Sequence, residues 1–162
     1  LNGKYPYTIN PGGPNHEELV SLIGIYEYFE GLYNHHFQDK RITISNKIKK
    51  INELISLHEE EIANPILKYL DDGENFKLIG KNKISNKNRA PTISFTSKKM
   101  SSKMLSKKLV DNQIATRNDN FYAWRCLKAL GIDADDGVVR ISLAHYNSIE
   151  ETKKLIKVFD KI

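Results

Sequence analysis

The chain has 162 residues, 40% of them hydrophobic and 28% charged, with a formal net charge of +5. That length supports one domain, or one and a fraction, with enough apolar content for a core and an ordinary charged surface. A single cysteine, Cys126, excludes an intramolecular disulfide framework and a cysteine cluster for zinc.

No run approaches the roughly 18 apolar residues of a membrane span, and no leader pattern opens the chain, so the expected compartment is the cytoplasm. The lysines are scattered through a chain also rich in Asn and Ile, so the basic balance does not by itself select a polyanion partner.

Pro6, Pro11, Gly12, Gly13 and Pro14 make the opening segment a loop. Asn15 is placed to cap a helix, with Glu17 and Glu18 in its first turn. Leu19, Leu22, Ile23, Tyr26, Phe29 and Tyr33 then recur at helical spacing and predict an amphipathic helix to about residue 33. A longer helix follows on the stripe Ile44, Ile48, Ile51, Ile55, Ile62, Ile66 and Tyr69. Pro65 is expected to kink or restart it, and Asp71-Asp72-Gly73 to end it.

Beyond Gly73 short strands alternate with short helices. Strands are expected at 76–80, 90–96, 113–118 and in "GVVRISLAHYN" (137–147), with a polar loop at 82–88. Helices are expected after a cap at Ser101 or Ser102, over 121–131 up to Gly131, and after the capping box formed by Ser148 and Glu151. The prediction is an α/β (α+β) chain in two parts. Residues 1–40 give a loop and helix unable to close a core alone, and residues 41–162 give short strands backed by helices.

Several residues invite chemistry. Lys99, Lys103 and Lys107 line one face of the third helix, but no aromatics interleave for base stacking, so a solvated face is expected. His35, His36 and His58 lack partners at metal-ligand spacing, and Cys126 reads as a buried, inert thiol. The glycine loop before the first helix could seat an anion at the helix start.

The last strand carries Val139, Ile141 and Leu143 on one face and Val138, Arg140, Ser142 and Ala144 on the other. Arg140, with Arg117 near the end of the preceding strand, suits a carboxylate or phosphate ligand. Pairing of Arg140 with Asp135 or Asp136 is the equal alternative from spacing.

The run "APTISFT…LVDNQIATRNDNFYAW…LGIDADDGVVRISLAHYNSIEETKKLIKVFD" resembles the C-terminal domain of the class V aminotransferase, cysteine desulfurase-like family. These are fold type I enzymes dependent on pyridoxal phosphate. "PGGPNHEELVSLIGIYEYF" is similar to the family's loop and helix at the end of its large domain, written G-T-x-N. The closing motif, G-x-x-R-x-S-x-x-x-Y-N-[ST] followed by E-E, is the more specific part.

The resemblance implies the tail of a large pyridoxal phosphate domain at 1–40. A connecting helix and a small C-terminal domain with a mostly antiparallel, helix-covered sheet would follow. It implies that Arg140 binds a substrate α-carboxylate and that Arg117 is a second pocket cation. Gly12, Gly13 and Asn15 would approach the cofactor phosphate across a homodimer interface.

Tyr122 stands at or near the desulfurase nucleophilic cysteine, which points to the cysteine-free branch of the family and gives no support to a persulfide step. No lysine here lies in a motif matching the Schiff-base lysine, so the chain reads as the C-terminal part of an enzyme acting on an amino acid. The competing expectation is a freestanding α+β interaction module whose Lys-rich face meets an acidic partner or nucleic acid.

Overall fold

The computed structural model describes residues 12–39, 41–85 and 88–162; Pro6 and Pro11 of the expected opening loop lie outside them. Two compact units divide within the second helix, between Leu54 and Ile55.

In the first unit α1 runs His16–His36. The Asn15 side chain accepts a hydrogen bond from the Glu18 backbone N–H at 3.1 Å, and Glu17 and Glu18 occupy the first turn as the helix dipole favours. α1 outlasts the expected end at 33 and is not one-sided. Val20, Ile25 and Tyr28 carry apolar surface round the face that a surface helix would leave polar. Leu19, Leu22, Ile23 and Tyr26, expected to point inward, are exposed, and Tyr33 alone is buried. The first turns of α2 (Ile44–Asp72) meet only the C-terminal half of α1, where Lys47 bonds Glu30 at 2.6 Å.

α2 continues through Pro65 as one helix, contrary to the expected restart. In the second unit its buried face, Ile62, Ala63, Ile66, Leu67 and Leu70, packs into the main core. Buried groups fasten it there. Asn64 brackets the backbone of Ile84, donating to its carbonyl at 3.1 Å and accepting from its N–H at 2.8 Å. Thr152 Oγ1 donates to the Ile62 carbonyl at 2.8 Å.

The strands β1 (Phe76–Ile79), β2 (Thr92–Ser97), β3 (Arg117–Asp119) and β4 (Val138–Ser142) form one antiparallel sheet in the order β1-β2-β4-β3. Alternation sorts its faces as the sequence predicts. Ile93, Phe95, Val139 and Ile141 are buried under α2, α3 (Ser102–Asp111) and α5 (Ile149–Phe159). Phe76, Phe95 and Phe159 meet edge-on or tilted with ring centroids 5.0–5.7 Å apart.

The other face carries a smaller cluster of Leu127, Ala134 and Val138, with Ile79, Phe121 and Ile132 against it. Ser101 caps α3, and the capping box of α5 forms with both its hydrogen bonds.

Several expectations fail locally. The third strand is Arg117–Asp119 rather than 113–118, because Gln113 turns left-handed with φ +61° and breaks the extension. The helix expected over 121–131 is α4, Trp124–Ala129, because Phe121 and Tyr122 before it are left-handed too. α4 buries only Leu127, which leaves Cys126 exposed. Lys99 precedes α3 and its cap, so only Lys103 and Lys107 of the lysine face ride on the helix.

Candidate functional site

The strand register builds a row on the outer face of the sheet. Ile79 lies opposite Ser94, Ser94 opposite Arg140, and Arg140 opposite Arg117. Directly paired residues share a face, so both guanidinium side chains start from one side of the sheet as cross-strand neighbours. Like charges placed so are unfavourable without an anion between them. Arg117 opens β3 rather than standing near the end of its strand, and the register brings the two arginines together.

Neither acidic candidate pairs with Arg140. Asp136 turns its carboxylate to the N-terminus of α3, accepting from the Ser102 N–H at 2.9 and 3.0 Å. The Ser102 hydroxyl donates to the Asp136 carbonyl in return. Asp135 is exposed in the turn, its N–H donating to the Asp133 carboxylate. Among the described residues no carboxylate lies within ion-pair distance of Arg140. Its contact is with Phe121: Cζ of the guanidinium stands 4.0 Å from the ring centroid.

The backbone beneath this pair is tightly specified. Gly137 has φ +73°, and a Cβ there would fall 2.3 Å from the carbonyl carbon of Asp119 and 2.7 Å from the Asn120 nitrogen. Only glycine lets the end of β3 pass so near the start of β4. Asn120 then shapes the turn, its Oδ1 accepting from the Tyr122 N–H at 3.0 Å and its carbonyl from the Ala123 N–H at 2.8 Å. Phe121 and Tyr122 follow with φ +51° and +60°. Phe121 turns into the small cluster, and Tyr122 is left fully exposed.

Asn147, Ser148 and Glu151 of the closing motif are occupied with local structure. Asn147 Oδ1 accepts from the Ala144 N–H at 2.8 Å, and its amide donates to Glu151 at 3.2 Å. Glu151 also accepts from the Ser148 N–H at 2.8 Å. The Ser148 and Asn147 hydrogen bonds hold its carboxyl below the ordinary range. His58 shares a 2.8 Å hydrogen bond with the Asn147 carbonyl, so it anchors this loop.

A groove of about 360 Å³ opens near the far end of β4, lined by Ile66, Gln113, Ile114, Ser142, Tyr146 and Lys154 among others. Neither arginine lines it.

Gly12, Gly13 and Asn15 belong to the other unit. Both glycines are exposed, and a Cβ on either would meet nothing within 4 Å. The Asn15 oxygen is engaged in capping.

A four-stranded antiparallel sheet backed by helices makes this an α+β fold. Residues 43–155 match the family model described as aminotransferase class-V, and the chain belongs to that family.

The aminotransferase-like protein FGM3 of Gibberella zeae is 29% identical over 157 residues, covering 96% of this chain and 38% of the relative. Among solved structures, the cysteine desulfurase CsdA of Escherichia coli matches with a TM-score of 0.62 at 18% identity, over 96% of this chain and 32% of that one. A cysteine desulfurase from Thermococcus onnurineus gives 0.59 at 26% identity, over 73% and 29%. The chain thus spans 29–38% of the length of these relatives.

Proposed function

We propose that this chain supplies the substrate-carboxylate end of a pyridoxal phosphate enzyme that acts on an amino acid as a cytoplasmic homodimer. The observation that carries the reading is Arg140: a half-buried guanidinium, set against Phe121, opposite Arg117, and without a carboxylate among the described residues. A bidentate arginine–carboxylate contact fixes both position and orientation of an amino acid, and Arg117 adds a second cation to the same face.

Membership of the family supports reading residues 1–40 as the end of the large domain, with Gly12, Gly13 and Asn15 approaching the cofactor phosphate of the partner subunit across a homodimer interface. The fit of those residues to a phosphate is partial. The N-terminus of α1 has the right sign for an anion, and Gly12 and Gly13 leave their backbone bare. Asn15 has only its amide N–H₂ to contribute, since its oxygen serves the helix.

When bound, pyridoxal phosphate supplies an electron sink for charge developing beside the substrate amino group. The work of Arg140 is to hold the carboxylate so that the reacting carbon faces the cofactor. No lysine of this chain is assigned to holding the cofactor. Tyr122 presents a phenol at or near the place where desulfurases carry their nucleophilic cysteine, so no persulfide step is assigned. The uncovered apolar surface of α1 fits burial against the remainder of the large domain or a second subunit.

In the complete enzyme, Arg140→Ala is expected to lower kcat/KM for the amino-acid substrate about 10- to 100-fold. That range is the loss of a charged hydrogen-bonded contact worth about 1.5–3 kcal/mol. Steady-state kinetics unchanged by the substitution would refute the assignment.

A further inference from the structure

Arg140 has four side-chain torsions and, among the described residues, no hydrogen-bond acceptor for its guanidinium. A clamp free to wander must lose its rotamer freedom each time it binds. Among the described residues the aromatic ring against it is that of Phe121, 4.0 Å from Cζ to ring centroid.

The fold goes to some length to put the ring there. Left-handed φ at two consecutive aromatic residues, +51° and +60°, is sterically disfavoured and persists only where the surroundings impose it. Asn120 imposes it from within the turn through its two hydrogen bonds. Gly137 imposes it from outside, by admitting the Asp119–Asn120 backbone. Phe121 is further steadied by packing against Leu127, Ala134 and Val138. The same turn sends its neighbour Tyr122 entirely into solvent, so the strained geometry serves the placement of the Phe121 ring and not the burial of both aromatics.

We infer that Phe121 is a positioning residue: its ring face holds the Arg140 guanidinium by a cation–π contact and leaves the N–H edge free for a carboxylate. The inference rests on the reading of Arg140 as the carboxylate clamp. A ring face suits this task better than an acidic partner. A carboxylate would occupy the N–H fork and compete with the ligand, whereas the quadrupole of a ring attracts the cation without taking any N–H. The adjacent Arg117 makes such a support more necessary, because it repels Arg140 from across the strand pair.

The test is an acetate titration of this chain by NMR, followed through the backbone amides of β4, which every variant retains. Acetate binding is expected to weaken about three- to tenfold in Phe121→Leu. It is expected to return to within about twofold of the parent in Phe121→Trp, since the indole face binds cations at least as well. Pentafluorophenylalanine at 121 keeps the shape but reverses the ring quadrupole. It should weaken acetate like leucine, and it decides the matter if Phe121→Leu does not fold.

In the parent chain the Arg140 Cδ protons should show an upfield ring-current shift. Absence of that shift, or leucine and pentafluorophenylalanine variants that bind acetate as well as the parent, would overturn the inference. Arg140→Lys run in parallel separates the two levels. Loss of binding there with none at Phe121 leaves the clamp standing without its support. Unchanged binding in Arg140→Lys sinks the clamp and the support together.

Discussion

Replacing Gly137 by alanine tests the backbone on which the arginine row depends. Two costs are expected. The first is conformational: φ is +73°, where an L-residue with a Cβ is disfavoured by about 1–2 kcal/mol. The second is steric. The new methyl group would stand 2.3, 2.4 and 2.7 Å from the Asp119 carbonyl carbon, its oxygen and the Asn120 nitrogen, well inside contact distance. All three are backbone atoms, so relief requires β3 to move, against its pairing of Asp119 with Val138 and Asn118 with Val139. Overpacking of this kind typically costs about 1–3 kcal/mol.

Gly131 separates the two terms. Its φ is +68°, nearly the same, yet a Cβ there meets nothing within 4 Å. Gly131→Ala should therefore lose only the conformational part, and Gly137→Ala that amount plus about 1–3 kcal/mol. Urea unfolding followed by far-ultraviolet circular dichroism, with equal m-values across the three proteins, measures the difference. Costs for the two variants within about 0.5 kcal/mol of each other would refute the close-approach argument.

Three further expectations follow from hydrogen-bonded groups. The Tyr69 phenol, desolvated by burial and donating to Asp160 at 2.8 Å, is pushed up to about 12 from 10.0. Its folded value is raised, so the stability it contributes is present below pH 10 and is lost as pH rises through about 12. Ultraviolet titration of the native chain should include a phenol phase near pH 12, and in Tyr69→Phe that phase should vanish. Ser148→Ala removes the α5 cap and should cost about 1 kcal/mol in the same urea assay. Glu151, whose folded value is depressed, contributes stability at neutral pH that is lost as pH falls through that value. An acid-unfolding midpoint unmoved by Glu151→Gln would contradict that contribution.

Periodicity carried most of the fold. The stripe along α2 predicted the buried Ile51, Ile62 and Ile66, though its first members Ile44 and Ile48 are exposed. The alternation Ile93/Phe95 and Val139/Ile141 predicted the core face of the sheet, because burial imposes its period directly on residue type. It failed where a contact decided the conformation. Gln113, Phe121 and Tyr122 adopt left-handed backbone without the Gly or Asn that signals it. For the aromatic pair the only local cue is Asn120, whose side chain organises the turn. Cys126 was misread for a related reason. A six-residue helix burying one side chain is too short for its sequence to reveal which face is inward. Helical spacing likewise predicted a one-sided α1, although Val20, Ile25 and Tyr28 carry apolar surface on its other faces.

The site was legible as a residue type and not as a geometry. An arginine on an otherwise β-forming strand stood out by its cost, but pairing with Asp135 or Asp136 explained it equally well. The structure separates these by finding Asp136 another task at the start of α3. The same sorting applies along the closing motif. Gly137 is required for backbone passage, Asn147, Ser148 and Glu151 build the loop and cap, and Ile141 fills the core. Arg140 remains the motif's charged side chain that no internal anion satisfies among the described residues, and its cross-strand neighbour Arg117 makes that face demand one. A guanidinium with no internal partner among the described residues is the group the proposal assigns to an external carboxylate.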